Sequence, residues 1–300
     1  MIKDFLQYLF DGLSTGAIYS LIALGLVIVY RGTGHLNFAQ GEMAMLSAFL
    51  AWWVSDNWLP IWLAVFVCAA FAFVLGAVVE RVIIRPIGKR SVFAVGVAAI
   101  GLLLGINALA PFLWKVVFPE PIGSLFPKEN TDFVTIGGAH WRYENIGVLL
   151  VMLAVAAVLF VLFQKTKLGL AMRAVATNPE SAPLAGIKTG QVLMISWGLA
   201  AAVGAIGGCM VASVNGNVTS TMMLAIFFSA TAAAMLGGFD SLVGAVVAGL
   251  LLGIIENMGA GYQPDIIGNE LKGSLSLVII LVVLLFRPSG LFGSRRVERV

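Results

Sequence analysis

Apolar residues along this chain come in long runs separated by short polar or basic breaks. The runs lie at about 8 to 30, 38 to 55, 61 to 80, 92 to 113, 146 to 164, 192 to 214, 222 to 238, 242 to 258 and 272 to 286. Most of them approach or reach the roughly 20 residues that a helix needs to cross a hydrocarbon core. A backbone in lipid must satisfy its own polar groups, so such runs are read as helices. The pattern predicts an all-α membrane protein, a polytopic helical bundle of about 8–9 transmembrane segments, with residues 1–300 as a single transmembrane domain. Two runs stand apart. The second is short and opens on the polar stretch His35 to Glu42, and the seventh is separated from the eighth only by Gly237 to Ser241. Either is a candidate half-helix or re-entrant segment.

Basic residues orient the runs. Arg81, Arg85, Lys89 and Arg90 form one cluster, Lys165, Lys167, Arg173 and Lys188 a second, and Arg287, Arg295, Arg296 and Arg299 a third. Two spans separate the first cluster from the second and four separate the second from the third, which puts all three on one face. Short cytoplasmic loops carry the excess of Lys and Arg, so this face is expected to be cytoplasmic, with the C-terminus inside and the N-terminus outside. The longest break, 114–145, then becomes a periplasmic loop, acidic through Glu120, Glu129, Asp132 and Glu144. Trp52, Trp53, Trp58, Trp62, Trp114 and Trp141 flank the same outer boundary, where amphipathic rings favour the headgroup level.

Composition agrees with the runs. Hydrophobic residues make up 60% of the chain and charged residues 11%, against about half and a quarter in soluble domains. A net charge of +3 on scattered basic residues gives no footprint for nucleic acid. Cys68 and Cys209 sit inside apolar runs without a CxxC or a nearby His, and are read as small buried hydrophobes. The first sixteen residues carry Lys3, Asp4 and Asp11 and no clear cleavage site, so they are read as part of a retained first span. Gly204 with Gly208, and Gly249 with Gly253, have the small-xxx-small spacing that lets helices approach closely. Arg85-Pro86-Ile87-Gly88 and Arg287-Pro288-Ser289-Gly290 each close a span, which fits either two parallel half-repeats or two separate interfacial anchors.

Catalytic groupings are missing from the sequence: there is no HExxH, CxxC or Ser-His-Asp set, and no cofactor is expected. There is no GxxxxGK[ST] either, so ATP, if it drives this protein, is bound by another polypeptide. Glu42, Glu80 and Glu256 lie toward segment ends, where they are expected to reach the interface, and Asn107 and Thr231 are among few polar groups at mid-span. A proton or sodium relay would need more intramembrane charge. The run Asn37 to Glu42 is either a broken helix lining a pathway or an ordinary cytoplasmic turn with Asn37 as N-cap. On the first reading Asn37, Gln40, Gly41, Glu42 and Asn107 are the candidate pathway residues.

Residues 165–191 form the most informative polar stretch. Leu168 to Ala176 has helical periodicity; Asn178 can cap a second short helix with Pro179 at its first position and Glu180 near its positive end, and Gly186 can stop it. So short a helix is marginal alone. The stretch is either a docking element for another protein or a solvated linker.

Here the chain resembles permeases of ABC importers, whose cytoplasmic loop carries Glu-Ala-Ala, three residues and Gly: Glu180-Ser181-Ala182 precedes Gly186 at that spacing. The Ile and Leu-Pro that follow in the fuller motif are absent. Asn37 to Met43, Arg173-Ala174 through Gly186-Ile187, Met235 to Gly238 with Gly244-Ala245, and Arg287 to Gly293 resemble, in order, the branched-chain amino acid permeases, the LivH-like group. The resemblance implies an inward-moving permease of the bacterial inner membrane. It implies as partners a homologous second permease subunit, two ATP-binding subunits and a periplasmic substrate-binding protein. It makes 165–191 a cytoplasmic coupling loop in which Arg173, Asn178, Glu180, Ala182 and Gly186 transmit ATPase motion. Leucine, isoleucine and valine are the implied substrates, with urea, short-chain amides and other amino acids left open. A stand-alone channel or secondary carrier for a small polar solute is the competing reading of the same spans.

Overall fold

The structure, a computed structural model, describes residues 2–88, 92–115, 119–129, 131–178 and 181–262, with 278, 281–283, 285–286 and 290–293. The helices are α1 (Ile2–Thr33), α2 (Gln40–Asn57), α3 (Ile61–Val79), α4 (Arg85–Gly88), α5 (Val92–Trp114), α6 (Tyr143–Lys165), α7 (Lys167–Thr177), α8 (Thr189–Asn215), α9 (Leu224–Gly237) and α10 (Leu242–Tyr262). A π-turn, Glu80–Ile84, joins α3 to α4, and a 3₁₀ turn covers Ala182–Ala185. Strands β1 (Glu120–Pro121) and β4 (Asn217–Val218) pair antiparallel, and β2 (Phe133–Ile136) and β3 (Ala139–Arg142) form a hairpin.

Among the described residues six helices are long and apolar enough to cross a membrane: Ile2–Thr33, Ile61–Gly88, Phe93–Trp114, Tyr143–Lys165, Thr189–Asn215 and Leu242–Tyr262. The chain is thus an all-α polytopic membrane protein. The two runs singled out in the sequence are the short ones. Helix α9 has 14 residues, about 21 Å at 1.5 Å per residue against a hydrocarbon core of about 30 Å. The run at 272 to 286, with Arg287 to Ser289 and Arg295 to Arg299, lies mostly or wholly outside the described residues.

Two ends of the bundle are distinct. At one, Gln7 near the start of α1 is hydrogen-bonded both ways to the backbone of His140 in β3. The tryptophans gather there, Trp53 edge-on to Trp58, Trp114 on Phe49 and Trp141 on Phe10, and Trp62 donates to the Leu125 carbonyl. The segment 119–129 is pinned by β1–β4 pairing and by Lys128, whose ammonium donates to the carbonyls of Ser213 and Val214 and so caps the negative end of α8. The other end carries α4, α7 and the 3₁₀ turn. We call these the hairpin end and the loop end.

Helix α1 forms the centre: 89% of its most apolar window is buried, against 22% for α5 and 28% for α6, which leave their apolar faces outward. Small residues allow the central contacts. A Cβ on Gly253 would meet the Gly16 backbone of α1, and one on Gly208 would meet the Ala44 carbonyl of α2. Helix α1 packs along α10 as α3 packs along α8, and α2 lies against α3 and α8 as α9 lies against α10 and α1. Since α1 runs toward the loop end and α8 away from it, α1-α2-α3 and α8-α9-α10 form an inverted pair. The repeat that the packing reveals among the described residues is therefore inverted, and the second RPxG lies mostly outside them. The first RPxG is a tether, because Arg85 donates to Glu80 at 3.0 Å and also to the carbonyl of Gly190 at the start of α8.

Candidate functional site

Helix α2 begins inside the bundle. Its first residue, Gln40, is fully buried and donates its side-chain amide to the Ala200 carbonyl at 2.8 Å, near the middle of α8. Gly25 of α1 and Gly204 of α8 make the room, since a Cβ on either would stand 2.5 or 2.6 Å from that amide nitrogen. Asn37 is buried as well. It donates to the Gln40 side chain at 3.2 Å, and its carboxamide oxygen accepts from the Ala39 N–H at 3.1 Å. The N-cap is Ala39, so Asn37 folds the turn before the helix instead of capping it, a correction to the turn reading. Gly41 rests against the Phe227 ring of α9.

Two residues beyond Gln40, Glu42 accepts from the Asn107 amide of α5 at 2.9 Å, and the same amide donates to the Ser220 carbonyl at 2.9 Å. Ser220 lies in the turns leading into α9. Asn107 thus joins the starts of the two short helices, one entering from each end of the bundle. All five residues suggested as pathway-lining by sequence fall in this region, and Asn37, Gln40, Glu42 and Asn107 each bond to one another or to backbone.

Glu42, Glu80 and Glu256 do not reach an interface: they are 4, 1 and 2% exposed. Burial of a carboxylate demands partners. Glu80 has Arg85. Glu256 of α10 accepts from the Tyr19 hydroxyl of α1 at 2.6 Å and from Ser229 of α9 at 3.3 Å. These carboxylates face neighbouring helices instead of the outside, because a helix end in linear sequence can be enclosed by the elements packed on it. Tyr19, Ser229 and Glu256 as a group went unrecognised, since the three lie on three helices far apart in sequence.

At the loop end, α7 folds back on α6. Thr166 caps α7 by accepting from the Gly169 N–H at 3.0 Å, and a Cβ on Gly169 would meet the Leu162 carbonyl. Arg173 turns inward, donating to the Phe163 carbonyl at 2.6 Å and to the Gln164 side chain at 2.9 Å. Asn178 ends α7, and its side-chain oxygen accepts from the Ser181 N–H at 2.9 Å. Beyond it a 3₁₀ turn over Ala182–Ala185, not a full helix, closes on Gly186 in the left-handed region at φ 78°. Glu180 and Pro179 lie outside the described residues. Ala182 points inward at 5% exposure, while Leu184, which the motif did not single out, is 89% exposed at the tip. An apolar side chain on so short a turn was its one sequence signal.

The terminal motif meets the α9–α10 corner. Leu291 and Phe292 donate backbone N–H groups to the carbonyls of Leu236 and Gly237, at 2.7 and 3.2 Å, and so satisfy the open end of α9. Gly237 and Gly244 touch backbone to backbone. Two of the motifs behind the family resemblance are thus one structural junction.

The fold is that of a polytopic helical membrane protein with two helices that start inside the bundle and a folded loop at one end. The chain belongs to the family described as branched-chain amino acid transport system / permease component, which matches residues 8–286. It is 30% identical over 100% of its length to the high-affinity branched-chain amino acid transport system permease protein BraD of Pseudomonas aeruginosa, covering 99% of that chain. It is 28% identical over 99% of its length to the permease protein LivH of Escherichia coli, covering 98% of that chain. The galactose/methyl galactoside import permease protein MglC of Escherichia coli is 26% identical over 83% of this chain and 77% of its own. Relatives that align end to end are transport permease subunits, in accord with a chain that is a permease component and not an enzyme.

Proposed function

We propose that this chain is the permease subunit of an ATP-driven importer for the branched-chain amino acids leucine, isoleucine and valine. It works by alternating access in a bacterial inner membrane, with the N-terminus and hairpin end outside and the loop end and C-terminus in the cytoplasm. The end-to-end likeness to permeases named for branched-chain amino acids supports the substrate class. The basic residues Arg85, Lys165, Lys167, Arg173 and Lys188, all near the loop end, support the orientation. A homologous second permease completes the passage, a periplasmic binding protein delivers substrate at the hairpin end, and two ATP-binding subunits dock at the loop end.

The observation that carries the coupling role is Leu184. It projects at 89% exposure from a turn held at Asn178 and Gly186, and an apolar side chain so placed gains by entering a groove on a partner. Behind it, α7 packs on α6 and α8, so a push on the turn reaches α8, whose Ala200 carbonyl holds Gln40. In this reading Glu42 and Asn107 sit where the two access states exchange.

The test is leucine uptake by the transporter assembled with its partner subunits. Leu184→Asp, Glu180→Lys and Gly186→Trp are each expected to cut uptake by about tenfold or more and to uncouple ATP hydrolysis from transport. The amount of chain in the membrane should stay unchanged. Normal uptake in all three would remove the coupling role from this segment. Uptake by the purified chain alone in liposomes would favour the stand-alone carrier.

A further inference from the structure

A cavity of about 300 Å³ opens near the hairpin end between α1, α6, α8 and α9. That volume is at the small end of the range for small-molecule sites. Its walls divide by chemistry. Asp11, Ser14 and Thr15 of α1, Asn145 of α6 and Asn215 of α8 supply polar groups, while Ile18, Val211 and Ile226 supply an aliphatic side. It runs from Asn215, which is exposed, to Tyr19, which is buried. Asp11, Ser14, Thr15 and Tyr19 form one stripe at i, i+3, i+4 and i+8 along α1.

Asp11 is the charged group of this site. Its two oxygens accept from Gln7 at 3.2 Å and from Asn145 at 3.1 Å. An ionised carboxylate offers about four lone-pair positions, so about two remain. Among the described residues no Lys or Arg forms an ion pair with it. The neighbours Ser14, Asn145 and Asn215 are neutral, and Lys128, on the Ser213 and Val214 carbonyls beside the cavity, is paired with Glu144 at 3.5 Å, so Asp11 is the charge that faces the cavity. Such a site favours an ammonium group, and the aliphatic wall favours a short branched hydrocarbon on the same molecule.

We propose that this cavity binds the ammonium group of an α-amino acid on Asp11, with the substrate's branched side chain against Val211 and Ile226. Asp11 is then a specificity-determining residue of the permease itself, acting after the binding protein has released its cargo. The proposal rests on the import reading above and adds to it a recognition site within the membrane subunit.

The test uses the full chain in nanodiscs and tritiated leucine. Two competitors divide the ligand: isoamylamine, which is leucine without its carboxylate, and isocaproate, which is leucine without its amine. Saturable leucine binding displaced by isoamylamine but not by isocaproate is the expected result. Asp11→Asn should weaken leucine binding by about tenfold or more, and Val214→Phe, which narrows the cavity without touching the carboxylate, should weaken leucine more than alanine. In the assembled transporter Asp11→Asn should raise KM by a similar factor with little change in maximal rate. No leucine binding by the wild-type chain, wild-type binding by Asp11→Asn, or equal displacement by isocaproate would each overturn the proposal. If Asp11→Asn leaves the KM for leucine uptake unchanged, the cavity role falls and the import reading stands; if the wild-type assembly transports no branched-chain amino acid, the import reading falls.

Discussion

Helices α2 and α9 start inside the bundle from opposite ends, yet they are anchored by different means. The start of α2 is held by side chains: Asn37, Gln40 and Glu42 are all buried, and between them they bond to α2's own first turn, to α8 and to α5. The start of α9 is made by backbone. Leu224 donates to the Thr221 carbonyl at 3.2 Å, Met223 is buried, and the N-cap offers no side-chain bond. Asn107, from a third helix, supplies the hydrogen bond that joins the Ser220 carbonyl to Glu42. An inverted pair of helices therefore has one member locked into the α1–α8 core and another seated on turns, with Leu224 and Phe228 outward. The lesson is that repetition of backbone shape does not require repetition of chemistry. An interior helix start must satisfy its polar groups, and amide side chains or tight turns serve equally.

The comparison breaks most sharply at Gly204. Gly204→Leu drives a side chain into the Gln40 amide, 2.6 Å from the would-be Cβ, and should cost about 3 kcal/mol, the upper range for overpacking. The thermal midpoint in nanodiscs reads it. Gln40→Ala in the same chain should recover part of the loss, because contacting sites are not additive. If the two losses simply add, Gln40 is not what Gly204 accommodates.

A smaller effect is expected at the junction. Asn107→Leu leaves the buried Glu42 carboxylate and the Ser220 carbonyl without their donor and should cost about 2 kcal/mol. Glu42→Gln keeps an oxygen that accepts from Asn107 and should cost less than about 1 kcal/mol. Equal losses for the two would mean that charge, not the bridge between helix starts, matters at this point. Ser220→Ala should lie within about 0.5 kcal/mol, because the acceptor there is main chain. A large loss would show that α9, like α2, depends on a side chain at its start.

What the sequence alone determined was set by local and repeated features. The apolar runs named the long helices because lipid-crossing length and composition are properties of a segment, and tryptophans marked one end because ring placement at an interface needs no partner. The shortness of the second and seventh runs and the stop at Gly186 were legible for the same reason, whereas Asn178, expected to cap the second short helix, ends α7 instead and Ser181 precedes the 3₁₀ turn. The likeness at Met235 to Gly238 and at Gly290 to Gly293 named the family, yet only folding made the two one junction. Tertiary structure alone decided the depth at which α2 begins, the burial of Glu42, Glu80 and Glu256, the inward turn of Arg173, and the meeting of Asp11, Asn145 and Asn215 around one cavity. Those are matters of how helices of unequal length slide past one another, and a run of apolar letters carries no record of its neighbour's register.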